Sequence, residues 1–171
     1  MLTFDLRALS QGGVQVDGRL APADAVWNDQ DVRPADGVRV TGRLSGAGGG
    51  RYYFSGRIAG TADTSCRRCL GEASASVNEE VHFLYAPAGD ETADDDPDVY
   101  TLDGRATAVD LRAAVRESWV LAAPQYTLCR DDCKGLCPSC GADLNDGPCE
   151  CGEKTDARWD SLKQLTAKRR S

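Results

Sequence analysis

A chain of 171 residues, 41% hydrophobic and 6% aromatic, suits one domain with a modest core and a small appendage. Its 20 bases against 27 acids give a formal net charge of -7, which argues against coating nucleic acid or an anionic membrane by bulk charge. Eight cysteines stand beside a single histidine, which excludes histidine-rich metal catalysis.

Taken in chain order, Leu2, Phe4 and Leu6 alternate with polar neighbours and predict an opening strand. Val14, Val16 and Leu20 predict a second. Residues 21–37, with Pro22 and Pro34, read as irregular with at most one helical turn, and Trp27 there reads as core or as a surface anchor. Val38, Val40 and Leu44 alternate with arginines and threonine, then Ser45 to Gly50 turns the chain. Tyr52, Phe54 and Ile58 follow on one face, with Arg51, Ser55 and Arg57 on the other, which completes a β-hairpin. The same strand runs into Cys66-Arg67-Arg68-Cys69. Alternation resumes through Ala73, Ala75, Val77, Val81, Phe83 and Tyr85, so this Cys-x-x-Cys sits at the tip of a second hairpin.

Residues 86–98, rich in aspartate, read as an acidic loop. Val99, Tyr100 and Leu102 form a short strand before the turn at Asp103-Gly104. Val109 to Leu121 is the main predicted helix, with Asp110 at its start and Leu111, Ala114, Val115, Ser118 and Trp119 in one buried stripe. Pro124 ends it. Ala157 to Lys168 reads as a short helix carrying Trp159, Leu162 and Leu165.

Residues 129–152 hold six of the eight cysteines among Gly, Pro and Asn, where no regular element fits. Cys137-Pro138-Ser139-Cys140-Gly141 is a metal knuckle: two intervening residues let both thiolates reach one ion, and the glycine permits a left-handed turn. Cys149 and Cys151 could close a local four-thiolate site with Cys137 and Cys140. The remaining four, Cys66, Cys69, Cys129 and Cys133, would then clip the hairpin tip to the segment after the helix. The rival partition joins Cys66 and Cys69 with Cys137 and Cys140. Spacing favours the first because it keeps one site local. Two sets of four thiolates suit two structural Zn²⁺ ions, and spacing also admits iron. Eight thiolates and two zinc ions would take the formal charge to about -11. Arg67, Arg68, Arg130 and Lys134 beside the knuckles could offset that charge or contact phosphate.

Cys129-Arg130-Asp131-Asp132-Cys133-Lys134-Gly135-Leu136-Cys137-Pro138-Ser139-Cys140-Gly141-Ala142-Asp143-Leu144-Asn145 resembles the YceD family, the large ribosomal RNA subunit accumulation proteins. Cys66-Arg67-Arg68-Cys69-Leu70, Leu121-Ala122-Ala123-Pro124 and Asp156-Ala157-Arg158-Trp159 before a basic end add to the resemblance, which spans about residues 38–171. It implies a role in accumulation or processing of 23S ribosomal RNA, hence in large-subunit assembly. It also implies a neighbour relationship with a small ribosomal protein of that subunit, and metal that stabilises the protein.

The other motifs weigh less. Gly46 to Gly50 precedes a strand and lacks Gly-Lys-Ser/Thr, so it is no phosphate loop. His82 reads as an exposed strand residue without a catalytic partner. Tyr53 reads as a cross-strand packing residue that could also stack on a base. Neither Cys-x-x-Cys pair both follows a strand and opens a helix, which makes thiol redox chemistry the weakest reading.

The expected fold is α+β: an antiparallel β-rich domain over 1–128, a zinc-knuckle region over 129–152, and a C-terminal helix with a basic tail over 153–171. The expected function is that of a cytoplasmic, non-enzymatic ribosome-biogenesis factor with no membrane and no small-molecule substrate. Arg67, Arg68, Arg130, Lys134, Lys168, Arg169 and Arg170 would contact pre-ribosomal 23S RNA or a large-subunit ribosomal protein. The alternative is a zinc-stabilised adapter that binds a ribosomal or assembly protein without touching RNA, which the acidic balance favours.

Overall fold

Alternating apolar residues draw the longest regular segments of the chain into one sheet. The computed structural model describes residues 1–90, 99–152 and Arg158. Its elements are β1 (Thr3–Asp5), α1 (Leu6–Ser10), β2 (Val14–Leu20), β3 (Val38–Gly48), β4 (Arg51–Ser65), β5 (Glu72–Pro87), β6 (Val99–Leu102), β7 (Ala108–Asp110) and α2 (Arg112–Ala122). The main sheet runs β2-β3-β4-β5-β6, and β1 pairs with β7 in a separate ribbon. Its pairings are antiparallel except β5 with β6, which is parallel. The fold is mixed α+β with antiparallel-rich sheets, as expected.

The period of two decides which face is buried. Val38, Val40 and Leu44 on β3, Phe54 and Ile58 on β4, and Val77, Val81, Phe83 and Tyr85 on β5 share the inner face. Ala114, Val115 and Trp119 of α2 pack into the same core, together with Leu2, Leu9 and Leu111. Trp119 is fully buried, and its Nε1–H donates to the Val32 carbonyl at 2.8 Å. Removing that ring would cost about 3–5 kcal/mol. No helix among the described residues is long and apolar enough to cross a membrane.

Several expectations need correction. The opening strand stops at Asp5, whose carboxylate accepts the Arg7 amide at 2.7 Å and starts the short helix α1. The predicted helix from Val109 begins later, because Val109 is committed to β7 opposite Phe4. Asp110 still accepts the Arg112 amide at 3.0 Å. The glycine-rich turn is shorter than Ser45 to Gly50, since β3 extends to Gly48 through a register shift. No helical turn forms over 21–37, and Trp27 is buried with its Nε1–H on the Ala21 carbonyl, which overturns the surface-anchor reading. Ala86 and Pro87 belong to β5, and Asp90 holds the Arg51 guanidinium through two bonds of 2.9 Å, so this end of the acidic segment is not free loop. The rest of that segment (91–98), the expected helix with Trp159, Leu162 and Leu165, and the basic residues Lys168, Arg169 and Arg170 lie outside the described residues.

Candidate metal centres

The β4–β5 hairpin closes at residues 66–71. The Cys66 amide donates to the Gly71 carbonyl at 2.7 Å, and the Leu70 amide donates back to the Cys66 carbonyl at 2.8 Å. This turn sits against the chain that leaves α2. The Arg67 amide donates to the Thr127 carbonyl at 2.9 Å, and the Arg68 carbonyl accepts the Leu136 amide at 3.1 Å. The Arg68 guanidinium donates to the Cys133 carbonyl at 2.8 Å. These bonds seat Cys129 and Cys133 over the hairpin tip.

The result is a cluster of four sulfurs from Cys66, Cys69, Cys129 and Cys133, all within 4.8 Å of one another. Cys66 Sγ lies 3.7 Å from Cys133 Sγ, and Cys69 Sγ lies 3.7 Å from Cys129 Sγ. Thiolates at tetrahedral corners about 2.3 Å from zinc would lie about 3.8 Å apart, so the spacing fits such an ion.

The second cluster is local. The Cys137 amide donates to the Ala142 carbonyl at 2.8 Å, and the Gly141 amide returns to the Cys137 carbonyl at 2.9 Å. Gly141 has φ +75°, which glycine adopts without strain. The Ser139 amide donates to Cys137 Sγ at 3.4 Å. Cys137, Cys140, Cys149 and Cys151 bring their sulfurs within 4.8 Å of one another. The structure therefore groups the cysteines in the first of the two partitions, and the rival pairing of Cys66 and Cys69 with Cys137 and Cys140 does not form.

The electrostatics of each cluster call for a cation. The amides of Cys69 and then Cys129 favour the thiolate of Cys66 and draw its pKa down to about 6. The amides of Cys140 and then Ser139 do the same for Cys137, also to about 6. Desolvation, with Cys133 and Cys66 beside it, pushes Cys129 up to about 12. Cys140, with desolvation, pushes Cys151 up to about 12. Four sulfurs this close resist common ionisation until a positive ion sits between them. Four thiolates complete a tetrahedral shell and leave no position for a reacting water.

Asn145 connects the two clusters. Its Nδ2 donates to Cys133 Sγ at 3.5 Å and to Asp143 Oδ1 at 2.6 Å, while its Oδ1 accepts the Lys134 amide at 2.8 Å. Only its place at the end of the recognisable cysteine string marks it in the sequence.

The candidate contact residues divide. Arg67 lies over the exposed Tyr126 ring, 4.1 Å from its centroid. Arg68 is turned onto backbone carbonyls, and Arg130 pairs with Asp132 at 3.4 Å. Lys134 is exposed beside Cys133.

Residues 54–166 match the family described as "Large ribosomal RNA subunit accumulation protein YceD", a span that contains both clusters. An uncharacterized protein of Mycobacterium tuberculosis is 32% identical over 114 residues, covering 65% of this chain and 54% of that protein. A Mycobacterium bovis protein matches to the same extent. One from Mycobacterium leprae is 26% identical over 117 residues, covering 66% of this chain and 52% of its own length. The chain thus spans about half the length of the curated relatives it matches. No solved structure matches it.

Proposed function

Because the chain belongs to the YceD family of large ribosomal RNA subunit accumulation proteins, we propose that it supports 23S ribosomal RNA accumulation and large-subunit assembly as a cytoplasmic, non-enzymatic factor. One observation carries this reading: the family match encloses two four-cysteine clusters whose donor sets are complete. Complete sets suit metal used for architecture.

In this reading Cys66, Cys69, Cys129 and Cys133 hold one Zn²⁺, and Cys137, Cys140, Cys149 and Cys151 hold the other. Zinc supplies fixed geometry and charge neutralisation. The protein's own residues do the rest. Arg68 and Asn145 hold the sulfur-bearing loops in place through the bonds described above. Residues 129–152 form a metal-organised region on the β-rich domain 1–128, and residues 153–171 add a basic tail. Arg67, Arg68, Arg130, Lys134, Lys168, Arg169 and Arg170 are the basic side chains offered to pre-ribosomal RNA. A second reading rests on the net charge of -7, which suits an adapter for a basic ribosomal protein without RNA contact.

The test is capture of 23S precursor RNA by the zinc-loaded full chain at two salt concentrations. Salt-sensitive capture that falls when Arg67 and Lys134 are replaced by glutamate supports the RNA reading. Capture of a ribosomal protein alone supports the adapter.

A further inference from the structure

The main sheet has a second face that the core does not use. Residues alternating with the buried set on β3, β4 and β5 point outward, and among them Arg43, Tyr53, Arg57 and His82 are exposed. Tyr53 and His82 lie on neighbouring strands. Their rings are stacked, with centroids 6.0 Å apart and an interplanar angle of 10°, and Tyr53 Oη meets His82 Nδ1 at 2.9 Å. An exposed aromatic pair fixed by its own hydrogen bond loses little freedom when a third ring is added to it.

Cationic groups flank the pair. Arg43 shares a rung with Ser55 and His82, and Arg57 lies on the next rung with Thr41 and Glu80. Of the carboxylates nearby, Asp17 faces Arg39 at 3.3 Å, and Glu80, opposite Arg57, lies 3.7 Å from His82 Nε2. Arg57 donates to the neutral Asn78 side chain at 2.9 Å. Neither Arg43 nor Arg57 has a carboxylate partner among the described residues. The small residues Thr41 and Ser55, with Gly42 and Gly56, leave a shallow depression between Arg57 and Glu80, while the Arg43 guanidinium lies beside it over Gly13.

A parallel ring pair beside guanidinium groups that no carboxylate neutralises, on an open sheet, matches what a flexible polyanion with flat bases requires. A duplex hides its base faces, and an acidic peptide has no use for the ring pair. We propose that this outer face, centred on Tyr53, His82, Arg43 and Arg57, binds single-stranded RNA, with a base stacked on the Tyr53–His82 pair and phosphates held by the two arginines. The proposal rests on the ribosomal reading and gives it a surface remote from the cysteine centres.

The experiment uses the full zinc-loaded chain from a preparation already assayed for 23S precursor capture. A labelled, unstructured RNA of about twelve nucleotides and its duplex are titrated at about 50 and 200 mM salt. The single strand should bind more tightly than the duplex. Tyr53→Ala should weaken binding about tenfold or more, while Tyr53→Phe, which keeps the ring, should stay within about twofold. Removing Arg43 and Arg57 together should lower the salt slope by about 0.7 for each arginine. These side chains are exposed, so an unchanged far-ultraviolet spectrum separates lost binding from lost fold. If Tyr53→Ala and the double arginine variant bind like wild type, the surface is wrong while the ribosomal reading stands. If the protein captures neither probe nor precursor, both fail. Cross-linking from position 53 to a protein in place of RNA also overturns the proposal.

Discussion

Asn145 donates its side-chain amide to Cys133 Sγ at 3.5 Å, so a residue of the local cluster's loop orients a sulfur of the hairpin cluster. The same side chain accepts the Lys134 amide, which precisely spaced cysteines alone would leave unpartnered. Replacing it with alanine removes a hydrogen bond to a ligand and leaves the solvent-exposed Lys134 amide to water, effects that reduce metal affinity about 10–100-fold and stability by about 0.5–1.5 kcal/mol. A chelator titration should show Asn145→Ala releasing one metal ion early and the other normally. Release of both at the wild-type chelator concentration would contradict the assigned role.

Leu70 and Gly141 follow the second cysteine of their respective Cys-x-x-Cys turns, and both take positive φ, +61° and +75°. Glycine does so freely, whereas a leucine there pays about 1–2 kcal/mol. Leu70 is also 68% exposed, so burial returns little of that energy. Leu70→Gly should therefore stabilise the protein by about 1 kcal/mol, offset in part by the greater freedom of glycine in the unfolded chain. Urea unfolding reads the sign directly, and a destabilised variant would show that the leucine packs on something the turn needs.

Arg116 of α2 holds Asp31 through bonds of 2.6 and 2.8 Å, fastening the helix to the irregular segment 21–37. The Asp31 side chain is 7% exposed, so its loss of a partner matters. Arg116→Ala should cost about 2 kcal/mol. The Arg116 hydrogen bond is the largest influence on the Asp31 carboxyl and holds its pKa below the ordinary 3.8. A lowered folded-state value means the contribution is complete above about 3.8 and is lost as pH falls through the folded value. The stability gap between wild type and Arg116→Ala should thus close on acidification, a comparison in which acid release of metal acts on both proteins. A gap that widens in acid would refute the pairing.

Much of this was legible in the sequence because period-two alternation and cysteine spacing are local signals. The hairpin carrying Cys66 and Cys69 at its tip follows from Tyr52, Phe54, Ile58, Val77 and Val81. The helix start was misread because Val109 fits a helical stripe equally well, and its pairing with Phe4 across more than half the chain leaves no local trace. The short helix α1 is hidden for a local reason: Leu6 continues a strand pattern, while the Asp5 cap and the buried Leu9 decide for a helix. Asn145 was unreadable as a sulfur partner because that contact exists only after both clusters form.

Within 129–152 no aliphatic or aromatic side chain is buried; the buried apolar groups there are Cys133 and Cys137 themselves. Metal removal should therefore disorder this region and leave the β3–β4–β5 sheet, with its own core, largely intact. Amide spectra with and without chelator should show loss of dispersion confined mainly to residues 129–152 and the hairpin tip. Unchanged amide shifts there after complete metal removal would contradict the expectation.

The central structural claim is that the eight cysteines divide into two separate four-sulfur clusters in the partition seen here. Alkylation mapping of a Cys66→Ser/Cys69→Ser variant, prepared with zinc, tests it most directly. The account predicts new reactivity at Cys129 and Cys133, with Cys137, Cys140, Cys149 and Cys151 still protected. New reactivity at Cys137 and Cys140, with Cys129 and Cys133 protected, would contradict it.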